Sequence, residues 1–280
     1  MDKTWNRSSK IPLSMRISLV IITVLGLVAL FGPLLPLPDP YAQNIMKALK
    51  LPSTDHWLGT DQLGRDLLSR IVAGSRFSLL IGFGAVLVGM AIGLPFGMLA
   101  GFYGRGLDRI FSWVIDILLA FPGIILALAI VAVTGPGIGN LIFAVGLRTI
   151  PVFARVSRAE TLSLRQRDFV EAARALGCRP YEIMYWHILP NIVGPLMIVA
   201  SLQTATAILI GATLSFLGVG VSPEVPEWGS MLNAGRPYMM RHPHLVLVPG
   251  CTLMIAMMAL NVVGDYIRDR LDPRSIAARG

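Results

Sequence analysis

Charged residues are scarce in this sequence. Asp, Glu, Lys and Arg make up 14% of its 280 residues, whereas 54% are hydrophobic. A soluble domain usually carries about 25% charged residues, and the apolar residues of its core recur at period 2 or 3.6 between polar faces. Here they form long runs, many close to the roughly 20 residues with which a helix crosses a bilayer. The composition excludes an ordinary soluble domain and predicts an all-α integral membrane protein.

Cysteine is also scarce, since the sequence has only Cys178 and Cys251, far apart along the chain. We therefore expect no disulfide scaffold and no Cys-x-x-Cys metal site. The sequence contains no GxxxxGK[ST] motif, which means that any ATP used must be bound by another chain. A polytopic membrane enzyme would need clustered catalytic groups at one depth, and the only candidates for such groups are Asp116 and Arg148.

Histidine is a further rare residue, with four in the chain. His242 and His244 form a close pair, but two histidines with no Cys or carboxylate nearby make a weak metal site. We predict no metal site and no cofactor bound by this chain.

Six apolar runs predict about six transmembrane helices. They cover approximately residues 17–36, 77–101, 110–133, 138–154, 192–218 and 245–265. The first run is followed by Pro36, Pro38 and Pro40 without a small-x-small cleavage site, so we predict a retained span and not a cleaved signal peptide.

Basic residues outnumber acidic ones, with 24 Lys and Arg against 16 Asp and Glu and a formal charge of +8. In a soluble protein this excess would suggest nucleic acid, but in a membrane protein its placement matters more. With a cytoplasmic N-terminus, 16 Lys and Arg lie inside and 7 outside. The positive-inside rule thus predicts that both termini and segment 155–191 are cytoplasmic and that segments 37–76 and 219–244 face outward. We expect no nucleic acid as a partner.

These segments suggest a division of the chain. Residues 1–76 would hold the N-terminal tail, the first span and an outer segment. Residues 77–268 would form the main membrane domain, and 269–280 a cytoplasmic tail.

Gly89, Gly93, Gly97 and Gly101 recur at four-residue spacing. Such residues share one helix face and let a second helix approach closely. We expect packing within one subunit here, in preference to a dimer seam.

The segment before the second predicted span has a different pattern. The apolar residues of segment 63–76 recur at helical spacing, which predicts a short amphipathic helix on the outer membrane surface.

Polar residues within the spans are candidates for a translocation path. Asp116 and Arg148 are each predicted about 9 Å deep from the cytoplasmic side, and they could pair, or Arg148 could reach the interface alone. Gln203, Thr206 and Thr213 share one face of the fifth span. They would either line the path or form interhelical hydrogen bonds.

Segment 155–191 predicts a helix, a turn and a helix. The first helix covers Asp168 to Leu176, with Asp168 as its N-cap. Gly177 ends it, in a left-handed conformation that disfavours other residues. The second helix begins near Pro180, and Pro190 closes it.

The same segment carries a motif. Glu171-Ala172-Ala173, then Gly177, then Leu189-Pro190 resembles the EAA loop of permease subunits of binding-protein-dependent ABC importers. His187 stands where the general motif has Ile. Further motifs are similar to the dipeptide, oligopeptide and nickel branch, and most to its C-type permease. These are HWLGTD at 56–61, LGRD at 63–66, HILPN at 187–191, SFLG at 215–218, EWG at 227–229, GD at 264–265 and LDP at 271–273.

This resemblance implies a type I ABC importer permease fold in the cell inner membrane. It implies a pore shared with a second related permease, two ATPase subunits that bind ATP and Mg, and an extracytoplasmic binding protein that delivers cargo. The outer segments, including Glu224 and Glu227, would contact that delivery protein. The cargo is expected to be a di- or oligopeptide, with nickel or a metal chelate as the alternative.

The cytoplasmic segment would then be a helical coupling loop that docks the ATPase subunits. The small side chains Ala172, Ala173 and Ala175 would allow close approach, and aromatic residues such as Tyr185 and Trp186 would supply rigid contacts. The residues predicted to carry the coupling are Asp168, Glu171, Ala172, Ala173, Gly177, Tyr181, His187, Leu189 and Pro190.

Overall fold

A computed structural model describes residues 12–271, and helices dominate that range. Helices α1 to α10 are Leu13–Phe31, Leu67–Tyr103, Arg105–Ala120, Gly123–Thr134, Ile138–Leu164, Asp168–Ala175, Pro180–Glu182, Leu189–Phe216, Trp228–Gly235 and His244–Leu271. Three 3₁₀ turns lie at Gly32–Leu34, Ile45–Lys47 and Arg236–Tyr238, and a π-helical turn at Ile183–Ile188 joins α7 to α8. Some predictions rest on residues outside the described range. Of the 16 Lys and Arg counted inside, Lys3, Arg7, Lys10, Arg274 and Arg279 lie there, as do Asp272 and Pro273 of the LDP motif.

The helices account for the predicted spans. In the described range, five helices are long and apolar enough to cross a membrane, and a sixth span results if α3 and α4 are taken together. The prediction of an all-α membrane protein with about six spans is confirmed. We call the end of the bundle that carries α6 the α6 end, and the opposite end, which carries α9, the α9 end.

The third predicted span is not straight. α3 and α4 meet at an angle of 84°, where Phe121 and Pro122 both have extended backbone conformations. Proline disfavours the helical conformation of the residue before it, which explains the break at Phe121. The prediction of one continuous helix over 110–133 is therefore wrong.

α2 begins ten residues before the predicted span. Asp66 caps it by accepting a hydrogen bond from the Ser69 amide at 2.8 Å, and both Leu67 and Arg70 are only 2% exposed. The predicted amphipathic helix on the membrane surface is wrong, because this segment forms the first turns of α2 and packs inside the protein. Apolar residues at helical spacing have the same pattern whether they cover lipid or protein.

α5 likewise extends beyond its predicted end at 154 and stops at Leu164. Just after it, the Arg165 guanidinium donates hydrogen bonds to the carbonyl oxygens of Gly101 and Phe102, at 3.0 and 3.2 Å. These bonds satisfy carbonyls in the last turn of α2, which have no partner within the helix. They join α2 and α5 at the α6 end.

α2 and α5 form the most extensive helix pair. A Cβ added at Gly93 would lie 2.7 Å from the Ile150 carbonyl oxygen, and one added at Gly101 would lie 2.7 Å from that of Arg158. At Gly89 it would meet the Thr149 side chain, and at Gly97 the Ala154 carbonyl oxygen. The glycine row faces α5 of the same chain, so that the two backbones are in direct contact.

Substitution of Gly97 by alanine should destabilise the protein by about 1–3 kcal/mol, because the new methyl group overlaps the Ala154 backbone and forces the helices apart. Gly26→Ala is the matched control, since a Cβ there meets nothing within 4 Å; it should be neutral or stabilise α1 by up to about 1 kcal/mol. Thermal unfolding of the purified protein in detergent measures both effects. Equal melting temperatures for the two variants would contradict the packing described here.

Candidate functional site

α6 is the first element of the exposed turn at the α6 end. Its N-cap is Arg167, which makes no side-chain capping bond, and Asp168 is the first helical residue. The prediction of Asp168 as the N-cap is therefore wrong by one position. Asp168 and Glu171 both lie in the first turn, where negative side chains favour the partial positive charge of the helix end.

α6 ends in a Schellman motif. The Cys178 amide donates to the Ala173 carbonyl at 3.1 Å, and the Gly177 amide donates to that of Arg174 at 3.0 Å. Gly177 has φ +82°, which confirms the predicted left-handed conformation. A Cβ at this position would meet nothing within 4 Å. Within this chain, glycine is thus required by backbone conformation and not by space.

One face of α6 is fixed to the membrane domain. Val170 is fully buried and Ala173 is 4% exposed, and both belong to an apolar cluster with Phe102 of α2 and with Ile183 and Met184 of the π turn. The expectation that Ala173 faces a partner is wrong, because the helix needs this small residue to lie close to its own core.

The opposite face is open. Glu171, Ala172 and Ala175 are exposed, and large apolar side chains surround them. We define the coupling surface as the exposed side chains of five residues: Phe169, Leu176, Tyr181, Tyr185 and Trp186. Leu176 is 85% exposed and Trp186 69%. Exposed apolar side chains concentrated in this way are typical of a protein interaction site.

The second helix of the turn does not end at Pro190. α7, the π turn and α8 form one continuous helix from Pro180 to Phe216. The Leu189 amide donates to Met184, five residues back, and the Asn191 side chain donates to the His187 carbonyl at 2.7 Å. The π turn therefore accommodates a proline that would otherwise break the helix. The predicted stop at Pro190 is wrong. The second helix of the turn continues without interruption into the spanning helix α8.

The two charged residues predicted within the spans do not pair with each other. Asp116 lies 3.6 Å from Arg155, and both side chains are more than half exposed. The side chain of Arg148 packs on Gly123, where an added Cβ would lie 2.7 Å from its Cδ atom. The Asp116–Arg148 pair, one of the two arrangements considered, does not form. The chain turns by 84° between α3 and α4, so depth along a straight helix does not apply.

A stronger ion pair, which the sequence pattern did not predict, joins α3 to α5. Two guanidinium nitrogens of Arg158, Nε and Nη2, donate to the Asp108 carboxylate, with Nη2 at 2.8 Å from Oδ2. The same guanidinium lies 5.7 Å from the centre of the Phe111 ring. These residues are 50 positions apart, and no local spacing could have indicated the pair.

The polar face of α8 was expected either to line the path or to form interhelical hydrogen bonds. The hydroxyl groups of Thr206 and Thr213 bond to carbonyls of their own helix, those of Leu202 and Leu209, at 3.2 and 2.7 Å. These two threonines therefore form no interhelical hydrogen bond in the described structure. Gln203 is half-buried, and its Oε1 has no partner among the described residues. A role in the path stays a prediction.

At the α9 end, a buried arginine connects the two long loops. Arg70 donates to the carbonyls of Pro40 and Glu224, at 3.1 and 3.4 Å, and lies 3.6 Å from the Asp61 carboxylate. Asp61 is held in turn by Arg65 Nε at 2.6 Å. The loop before α2 and the loop before α9 are thus fixed together by charge-assisted hydrogen bonds.

Glu227 belongs to the same end and is the N-cap of α9. Its carboxylate accepts hydrogen bonds from the amides of Gly229 and Ser230, at 2.9 and 2.8 Å. Burial raises the pKa of the Glu227 carboxyl above its ordinary value, and these two hydrogen bonds act in the opposite direction. Glu227 is 1% exposed, so the expectation that it contacts a delivery protein is wrong, whereas Glu224 is exposed.

His242 and His244 stand close, with ring centres 6.0 Å apart. No group of three or more His, Cys, Asp or Glu that could hold a metal ion occurs between residues 12 and 271.

A bundle of spanning helices with an open apolar turn at one end defines a polytopic membrane subunit that has a surface for a partner. Residues 93–276 match the family described as binding-protein-dependent transport system inner membrane component. The chain belongs to this family, and it is a multi-pass transport permease of the ABC importer class and not an enzyme.

Curated relatives cover most of the chain. This chain is 43% identical over 258 residues to the dipeptide transport system permease protein DppC of Alkalihalophilus pseudofirmus, and the match covers 92% of this chain and 85% of the relative. It is 46% identical over 223 residues to the glutathione transport system permease protein GsiD of Pectobacterium atrosepticum, covering 80% and 74%.

A solved structure shares the fold. The inward-facing MetNI methionine ABC transporter aligns with a TM-score of 0.60 at 22% identity, over 74% of this chain and 98% of that chain. The predicted ABC importer permease fold is confirmed.

Double-mutant cycles separate the two ion-pair arrangements. Asp108→Asn with Arg158→Gln should show a coupling of about 1 kcal/mol, because the pair is bidentate and only partly exposed. Asp116→Asn with Arg148→Gln should be additive, since these side chains do not meet. The measured quantity is the free energy of unfolding in detergent. Coupling in the second cycle and additivity in the first would contradict the structure.

Proposed function

We propose that this permease imports short peptides that an extracytoplasmic binding protein delivers, together with a second related permease and two ATPase subunits. The observation that carries this proposal is the coupling surface: five exposed apolar side chains on an ordered turn that is anchored to α2 and continuous with α8. A surface of this kind suits a soluble partner that must move the membrane helices.

The contacts support a route by which an ATPase would move the membrane helices. An ATPase bound to Leu176 and Trp186 would displace α6 and the π turn. Val170 passes that displacement to the end of α2 through Phe102. The unbroken helix from Pro180 to Phe216 passes it along α8, where Gln203, Thr206 and Thr213 are the candidate path residues.

The cargo class rests on the relatives. The two named above transport a dipeptide and glutathione, which are both short peptides. Nickel or a metal chelate is the alternative cargo. Calorimetric titration of the cognate binding protein with dipeptides, glutathione and nickel distinguishes them, and binding of nickel alone would refute the peptide assignment.

The orientation follows from charge. We propose that the α6 end faces the cytoplasm, since the basic side chains of Arg105, Arg109, Arg165, Arg174 and Arg179 flank its helices. The α9 end, with exposed Glu224, would then face the delivery protein. Residues 77–268 would form the permease domain.

Gly177 offers the sharpest test of coupling. Gly177→Val should leave the bundle folded, because an added Cβ meets nothing within 4 Å. The left-handed backbone costs such a residue about 1–2 kcal/mol. The turn can relieve that strain only by leaving its docked shape, so ATPase retention should fall about five- to thirtyfold. Retention and transport-linked hydrolysis are measured on the purified complex.

Two further variants distinguish backbone strain at position 177 from a steric clash with the ATPase. Gly177→Asn tolerates the left-handed conformation and should lose less than Gly177→Val unless the ATPase packs directly on this position. Gly106→Ala is the control at the same end, since its added Cβ also meets open space. Full ATPase retention and normal transport by Gly177→Val would exclude this turn as the coupling element.

Reporter fusions test the orientation separately. A fusion within residues 160–185 should report the cytoplasm, and one within 40–55 should report the outside. The physical reason is the excess of Arg at the α6 end. Reversed signals would overturn the orientation. They would also exclude the coupling role, because the α6 end would then face away from the cytoplasmic ATPase subunits.

A further inference from the structure

A cavity of about 430 Å³ lies where α1 ends, between segment 32–41 and the first turns of α2. We call it the α1 cavity. Its volume falls within the range of about 300–1,000 Å³ that is typical of ligand sites. Its lining is mostly apolar, and includes Ala29, Pro33, Leu35, Val72, Ala73 and Phe77.

The length of α2 indicates where this cavity lies relative to the bilayer. α2 has 37 residues and is therefore roughly 55 Å long, whereas the hydrocarbon core of a bilayer is about 30 Å thick. Its first ten residues are polar in part, and a continuous apolar stretch begins near Phe77. Exposed Leu80 and Phe83 follow within two turns. The α1 cavity therefore lies at the level of the lipid headgroups.

The surroundings agree with that depth. α1 is peripheral, since only 11% of its most apolar stretch of 18 residues is buried, and Leu30 and Leu34 beside the cavity are 74% and 79% exposed. Tyr41 lines the cavity, and Trp57, 72% exposed, lines a neighbouring one. Exposed Tyr and Trp are enriched at membrane–water interfaces.

Two opposite charges reach the cavity without neutralising each other. Arg76 and Asp39 both line it and are both exposed. Within residues 12–271 neither forms an ion pair. One Asp39 oxygen accepts a hydrogen bond from the Tyr41 amide at 2.9 Å, which holds the carboxylate in place. A guanidinium suits a phosphate, and a carboxylate suits an ammonium group.

We propose that the α1 cavity binds one zwitterionic phospholipid of the phosphatidylethanolamine class. Its phosphate lies on Arg76, its ammonium group on Asp39, and its glycerol region on the apolar lining. The exposed leucines of α1 lead from the cavity toward the bilayer, so the acyl chains stay in the membrane. A peptide segment of a delivery protein would gain nothing from that apolar path, which favours a lipid as the occupant.

The test uses the complete transporter purified from membranes, with native mass spectrometry to count bound phospholipid. Micelles that contain phosphatidylethanolamine or phosphatidylglycerol serve as the probes. The wild-type complex should retain one phosphatidylethanolamine per copy of this chain. Arg76→Gln should weaken retention about fivefold, near the upper limit for an exposed ion pair. Asp39→Asn should shift the preference toward phosphatidylglycerol, which lacks the ammonium group.

Ala73→Trp, which fills the cavity, should abolish retention while transport confirms that the complex has folded. Arg241→Gln is the control, since Arg241 is an exposed arginine of the loop before α10 that does not line the cavity. The proposal is overturned if Arg76→Gln and Ala73→Trp retain as much lipid as the control. It is also overturned if they weaken docking of the delivery protein and leave the lipid count unchanged.

Discussion

The backbones of α2 and α5 touch along four glycines, and a methyl group at Gly97 would overlap the Ala154 carbonyl. The contact needs small residues because apolar side chains gain little by leaving lipid for protein, so close packing must supply the attraction. The elements at the α6 end are attached to this pair. Arg158 fixes α3 to it, Arg165 joins the C-terminal ends of α2 and α5, and the cluster around Phe102 holds α6.

The two ends of the bundle are built by different means. At the α9 end, charged groups such as Arg70 and Glu227 are buried and fully engaged, so that loops far apart in sequence form one rigid cap. At the α6 end, the buried residues are mostly aliphatic, with Phe102 among them, and exposed apolar side chains gather on one turn. Hydrogen bonds tie the two loops of the first end together, while the turn of the second end leaves Leu176 and Trp186 without cover.

The π turn connects the coupling surface to the spanning helix α8. A helix that stopped at Pro190 would leave α6 on a flexible hinge. The shifted hydrogen bond from Leu189 to Met184 lets the helix pass the proline without interruption. Tyr181, Tyr185 and Trp186 of this surface therefore lie on the same continuous helix as α8, which is the geometry that the proposed coupling requires. The lipid proposed beside α1 lies at the opposite end and is independent of this linkage.

Sequence patterns alone were sufficient to predict the membrane class, about six spans, the glycine row and the left-handed turn at Gly177. These follow from composition, from four-residue spacing and from the conformational freedom of single residues, which are all local properties. Three other features became visible only in the folded chain: the 84° break, the partners of Asp116 and Asp108, and the inward orientation of Ala173. Such features depend on how distant helices meet, because a helical pattern looks the same whether its apolar face covers lipid, a neighbouring helix or a partner protein.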